Sequence, residues 1–149
     1  ILVFDKYKNN FGNDLIREES MEELQKNADI LSLHIPLNKE TENMVNLSFL
    51  SKFKKPVYLI NTSRGKIINT NDLVLCLKKK IVMGACLDVI EYEENSFEGI
   101  NKNNNNMKFL IKAENVILTP HIAGLSFESK KKLSKILANK ILDFIKSIN

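Results

Sequence analysis

The chain is predicted to fold as a doubly wound, parallel α/β domain, and three observations predict it. Apolar runs of strand length recur at residues 1–4, 30–33, 57–60, 82–89 and 116–118. Helical stretches separate several of them. The runs are continuous instead of alternating, as expected of strands covered on both faces. Strands and helices in alternation require crossover connections, and crossovers make a sheet parallel.

The first run, 1–4, begins the chain, and a short edge strand is compatible with residues 15–18. Ser20 with Glu23 forms a capping box that opens a helix over 21–27, because each side chain can satisfy the other's free amide. Helices are expected at 47–53 and at 72–80, the second ending in lysines that suit the negative C-terminal dipole. Gly84 and Asp88 interrupt the fourth run. Residues 96–113 lack clean periodicity and read as a loop, including the Asn103–Asn106 run, with one short helix at 107–111. A long helix over about 127–148 repeats Leu133, Ile136, Leu137, Ile141, Leu142, Phe144 and Ile145, a stripe expected to face a core.

At 149 residues the chain can build one domain with a real core but not a large two-domain enzyme. The net charge of +4 raises a nucleic-acid reading. The lysines, at 52–55, 78–80 and 130–132, lie at helix ends or opposite apolar residues, without interleaved aromatic rings for base stacking. They read as a solvated surface. Cys76 and Cys86 lie inside apolar runs and outside any Cys-x-x-Cys pair, so two reduced core thiols are expected, with no disulfide and no metal site. No apolar run approaches the roughly 20 residues of a membrane span, and no leader pattern is present. A cytoplasmic protein is the expectation.

In a parallel sheet all strands end on one edge, where ligands bind. The first run ends in Asp5 and the second in His34. The third leads into Asn61-Thr62-Ser63-Arg64-Gly65, the fourth into Asp88, Glu91 and Glu93, and the fifth into Pro120-His121. Strand spacing of about 4.8 Å brings Arg64, a glutamate and His121 within reach of one another. Singly, each has a plain alternative. Asp5 suits a turn, His34 a polar strand end, Arg64 a surface charge, and Glu91 and Glu93 solvated loop carboxylates. Their shared edge favours a catalytic reading.

Three ordered motifs resemble the signatures of D-2-hydroxyacid dehydrogenases. They are Asn61-Thr62-Ser63-Arg64-Gly65, then Gly84-Ala85-Cys86-Leu87-Asp88-Val89 with Glu91-x-Glu93, then Leu118-Thr119-Pro120-His121-Ile122-Ala123-Gly124. Ser32-Leu33-His34-Ile35-Pro36-Leu37 resembles the family's His-x-Pro element. The resemblance implies a Rossmann-type NAD domain and a small 2-hydroxy or 2-keto acid as substrate. It gives Arg64 as binder of the substrate carboxylate, His121 as acid/base and Glu93 as the acidic partner of His121. Glu93 is preferred to Glu91 because the family's acid falls five residues after the motif aspartate. A planar guanidinium matches a carboxylate bidentately, and imidazole is the side chain best placed to move protons near neutrality. The resemblance also implies NAD contacts from Asp5, His34, Pro36, Thr62, Ser63, Arg64, Asp88, His121 and Gly124. Asp5 would take the adenosine ribose and disfavour a 2′-phosphate, and Asp88 the nicotinamide carboxamide. A homodimer built through this domain is a further implication.

The family's Gly-x-Gly-x-x-Gly loop is not found among Gly12, Gly65, Gly84, Gly99 and Gly124. The chain is therefore expected to start one strand–helix unit late, with the missing strand between runs 1–4 and 30–33 and the substrate domain outside it. Taken alone, it is expected to bind NAD poorly. The stretch from Glu91 to Glu98 and that from Ala123 to Ser129 resemble certain bacterial phosphoglycerate dehydrogenases of serine biosynthesis. D-lactate, glycerate and hydroxypyruvate enzymes are the alternatives within the class. An NAD-sensing corepressor-like protein or an inactive remnant are the alternatives outside it.

Overall fold

The computed structural model describes residues 1–92 and 104–148. Its main sheet has four parallel strands in the order β3-β4-β5-β6: β3 (Ile30–Leu33), β4 (Val57–Asn61), β5 (Val82–Leu87) and β6 (Val116–Leu118). Strands β1 (Leu2–Val3) and β2 (Arg17–Glu18) pair parallel in a separate two-stranded sheet, which realises the edge strand compatible with 15–18. Among the described residues β1 does not join β3.

Each helix starts where a short polar side chain replaces a backbone acceptor. Ser20 Oγ accepts from Glu23 N–H (3.2 Å) at the head of α1 (Met21–Asn27). Only that half of the expected capping box forms; the Glu23 carboxylate instead accepts from Lys26 and Asn27. Asn46 caps α2 (Leu47–Leu50), and Asn69 caps α3 (Thr70–Lys78). Asn104 caps α4 (Asn105–Lys112), and Ser126 Oγ accepts from Ser129 N–H as α5 (Phe127–Ile148) begins. Asp72 ties two helices together by accepting from Leu47 N–H across 2.9 Å.

The core lies on one side of the sheet. Leu31, Leu33, Val57, Leu59, Val82 and Leu87 point into it, toward Leu50, Leu73, Cys76, Leu77, Met107 and Leu110 of α2, α3 and α4. Burial holds the Cys76 thiol above its ordinary range, with Asp72 adding to the rise, which suits an inert core thiol.

Three expectations are corrected here. Among the described residues the strands are covered on one face only: Ile30, Tyr58, Met83 and Ile117 are exposed on the other, Ile117 at 62%. A continuous apolar run makes two-sided cover possible but does not supply the covering element. Cys86 shares that uncovered face and is an exposed thiol, not a core one. The stripe on α5 has no buried residue, with Leu133 65% exposed, so within the described residues it faces no core.

Replacing fully buried Leu59 by Ala should lower the unfolding free energy of the chain by about 2–5 kcal/mol in urea titrations. Leu133→Ala should stay within about 0.5 kcal/mol. Equal losses at the two positions would show that α5 packs on the core after all.

Candidate functional site

The register of the main sheet builds the site. Leu33, Asn61, Leu87 and Leu118 are successive partners across the four strands, so the chain leaves every strand on one rim at one level. The backbone ladder continues past the strand ends. Asp88 N–H donates to Asn61 O (3.0 Å), Thr119 N–H to Leu87 O (3.0 Å), and His121 N–H to Asp88 O (2.9 Å). The loop after β4, which carries Arg64, and the loop after β6, which carries His121, thus hang from the same peptide steps.

The loop after β4 is shaped by Asn61, whose side chain is fully buried. Its Oδ1 accepts from Ser63 N–H (3.0 Å) and its Nδ2 donates to Arg64 O (3.0 Å). Ser63 Oγ donates to Leu33 O (2.5 Å), fastening this loop to the end of β3. Arg64 is exposed; Nη1 donates to Ser63 O (2.6 Å), and the guanidinium has no carboxylate partner among the described residues. Thr62 is exposed beside it. Gly65 then starts a 3-10 turn, Gly65–Ile67. A Cβ on Gly65 would sit 2.0 Å from the carbonyl carbon and oxygen of Ile90, so only glycine lets the two loops touch.

Asp88, only 4% exposed, latches the loop after β6. Its Oδ1 accepts from Thr119 Oγ1 (2.5 Å) and Ile122 N–H (2.9 Å), and its Oδ2 from Ala123 N–H (2.9 Å). Burial works to raise its pKa; those three hydrogen bonds and the nearby His121 outweigh it and hold the carboxyl below its ordinary value. His121 is half-buried and has left-handed backbone, φ 53°, inside the latched loop. Gly124 borders open space on its Cβ side.

The remaining expected residues fall as follows. Glu91 is a helix cap: its carboxylate accepts from Thr70 N–H (2.9 Å) at the start of α3. Glu93 lies outside the described residues. His34 is exposed at the end of β3, with Nε2 2.8 Å from Ser32 Oγ. Pro36 is exposed, and its carbonyl accepts from Thr41 Oγ1 (2.6 Å). Asp5 forms an Asx turn, Oδ1 accepting from Tyr7 N–H (2.8 Å) and Lys8 N–H (3.0 Å). It also lines a cleft of about 280 Å³ with Phe4, Phe11 and Ser20. Lys6 Nζ and Tyr7 Oη reach Glu40 at 2.6 and 2.8 Å, connecting the Asp5 turn to the loop that follows Pro36. The sequence motifs contain Asn61 and Thr119 but assign them no role. The Asn-x-Ser spacing of an Asx turn is the signal that could have found the first.

Among the described residues no helix is long and apolar enough to cross a membrane, and no cluster of three acidic, His or Cys residues could hold a metal. The donor set suits a dinucleotide in part. The rim offers hydroxyls, a guanidinium and an imidazole, and the Asp5 cleft a carboxylate, but these residues include no glycine loop for a pyrophosphate.

Comparison with known proteins bears on this geometry. Residues 1–123 match the family model described as D-isomer specific 2-hydroxyacid dehydrogenase, NAD binding domain. The chain is 38% identical over 147 residues to a hydroxypyruvate reductase of Blautia hydrogenotrophica, covering 98% of this chain and 43% of the relative. It is 33% identical over 149 residues to a D-lactate dehydrogenase of Staphylococcus aureus, covering 97% and 45%. The NAD-complexed D-isomer specific 2-hydroxyacid dehydrogenase from Lactobacillus delbrueckii ssp. bulgaricus superposes with a TM-score of 0.81 at 31% identity, over 98% of this chain and 45% of that one. The chain therefore spans less than half the length of these relatives.

Gly65→Ala should cost about 1–3 kcal/mol or more of stability, because backbone, not a flexible side chain, blocks the methyl group. A melting temperature unchanged from wild type would refute the close approach. The lowered pKa of Asp88 means that its carboxylate stabilises the fold above the ordinary aspartate value of 3.8 and loses that contribution as pH falls through its lower folded value. Asp88→Asn should therefore be less stable than wild type at neutral pH, with the gap closing in acid below 3.8. A gap that persists in acid would mean the charge is not what latches the loop.

Proposed function

The chain belongs to the family of D-isomer specific 2-hydroxyacid dehydrogenase NAD-binding domains, and from that membership we propose that the protein interconverts a D-2-hydroxy acid and its 2-keto acid with NAD. Bound NAD supplies or accepts the hydride at C2 of the acid. Arg64 pairs with the substrate carboxylate through its planar fork. In reduction His121 gives a proton to the C2 oxygen; in oxidation it takes that proton back. Glu93 serves as its acidic partner. The adenosine ribose falls to Asp5, whose Oδ2 accepts no hydrogen bond among the described residues and suits a ligand hydroxyl. His34, Pro36, Thr62, Ser63 and Gly124 line the cofactor path, and the active protein works as a homodimer.

The observation that carries this reading is the rim itself. A guanidinium without a carboxylate partner among the described residues and an imidazole on a strained, latched loop hang from β4 and β6, the two strands that flank β5 in one parallel sheet. Of the acids the sequence allows, a small unphosphorylated 2-keto acid such as hydroxypyruvate or pyruvate is preferred to the phosphorylated acid of serine biosynthesis. The related hydroxypyruvate reductase and D-lactate dehydrogenase support this choice.

The test is NADH oxidation by the intact protein with glyoxylate, pyruvate, hydroxypyruvate and 3-phosphohydroxypyruvate. Turnover should be fastest with an unphosphorylated acid. Preference for the phosphorylated acid would restore the phosphoglycerate reading, and NADH binding without any turnover would favour a sensing protein. In the active protein, His121→Ala and Arg64→Ala should each lower kcat/KM by about 10²–10⁴-fold. Near-normal rates in both would remove these residues from the chemistry.

A further inference from the structure

We propose that Asn61 is a positioning residue for Arg64, and hence for recognition of the substrate carboxylate. The inference rests on the reading of Arg64 given above and deepens it. Asn61 is fully buried at the end of an otherwise apolar strand, and a buried amide is tolerated only when its donors and acceptors are matched. Both ends of this amide are matched within one turn. Oδ1 takes the N–H of Ser63, and Nδ2 supplies the carbonyl of Arg64. The peptide joining Ser63 to Arg64 is therefore held from both flanks. Its carbonyl is the group on which the Arg64 guanidinium rests, at 2.6 Å.

The carboxamide thus acts on the arginine without touching the ligand. It orients the peptide whose oxygen receives the guanidinium. The backbone of Asn61 adds a second restraint, because its carbonyl accepts the Asp88 N–H and fixes the turn relative to β5. Only a side chain that both accepts and donates can do this from position 61. Aspartate has the same shape but lacks the donor. Serine is too short to span both partners.

The experiment uses the intact protein and follows NADH oxidation with hydroxypyruvate. Asn61→Asp should raise KM about tenfold or more, with kcat changed much less, the pattern of lost substrate binding. The Kd for NADH, read by fluorescence, should stay within about twofold. In an Arg64→Ala background, Asn61→Asp should add almost nothing to KM, because neighbouring groups that act through one another are not additive. Asn61→Ser, which brings no buried charge, should repeat the pattern. An Arg64→Ala protein with unchanged KM would sink the underlying reading of the arginine. If Arg64→Ala raises KM while both Asn61 variants leave it alone, or if their effects simply add, the positioning role is wrong. It is also wrong if NADH affinity falls as far as substrate affinity, or if neither variant can be purified folded, since the amide would then hold the domain and not the arginine.

Discussion

The structure depends on parallel strand pairing carried beyond the strands. Four strands end in register, and the peptides that follow keep exchanging hydrogen bonds: Asp88 with Asn61, Thr119 with Leu87, His121 with Asp88. Without those steps the loops would be long tethers with a large entropy of ordering. With them, side chains 57 residues apart, Arg64 and His121, sit on one scaffold.

Each loop is then locked by a different device. The loop after β4 folds around a buried amide and is pressed against the loop after β5 at Gly65. The loop after β6 closes on a buried carboxylate. The amide satisfies a backbone N–H and a C=O, and the carboxylate two backbone N–H groups, that leave regular structure at the rim and would otherwise be stranded. Glu91 does the same for α3, accepting from Thr70 N–H. Holding functional groups on rigid strand ends with a supporting layer behind them is what precise placement requires.

Much of this was legible in the sequence. Strands β3 and β6 and helices α1 and α5 fall where the apolar runs and the cap at Ser20 place them, because short apolar runs and 3.6-residue periodicity are local signals. The common rim followed from strand–helix alternation alone. Burial was harder to read. The face bearing Tyr58, Met83 and Ile117 is as apolar as a covered face, and the stripe of α5 looks like any core-facing helix, yet neither meets a partner among the described residues. Cover is a property of what packs on an element, not of the element. The roles of Asn61 and Asp88 escaped for a related reason. A polar residue at a strand end looks the same whether its side chain turns toward a ligand or back into its own loop.

The left-handed backbone at His121 has an evolutionary corollary. Among ordinary residues that conformation is easiest for glycine, then for asparagine, aspartate and histidine, and worst for β-branched side chains. Drift that relaxes the main chain therefore discards the imidazole, whereas exchange for valine or isoleucine loses the ring and aggravates the torsion. A position that is only half-buried ordinarily accepts many replacements. Here the left-handed torsion and the proposed proton transfer each restrict the choice, and variation at residue 121 should be far narrower than its exposure implies.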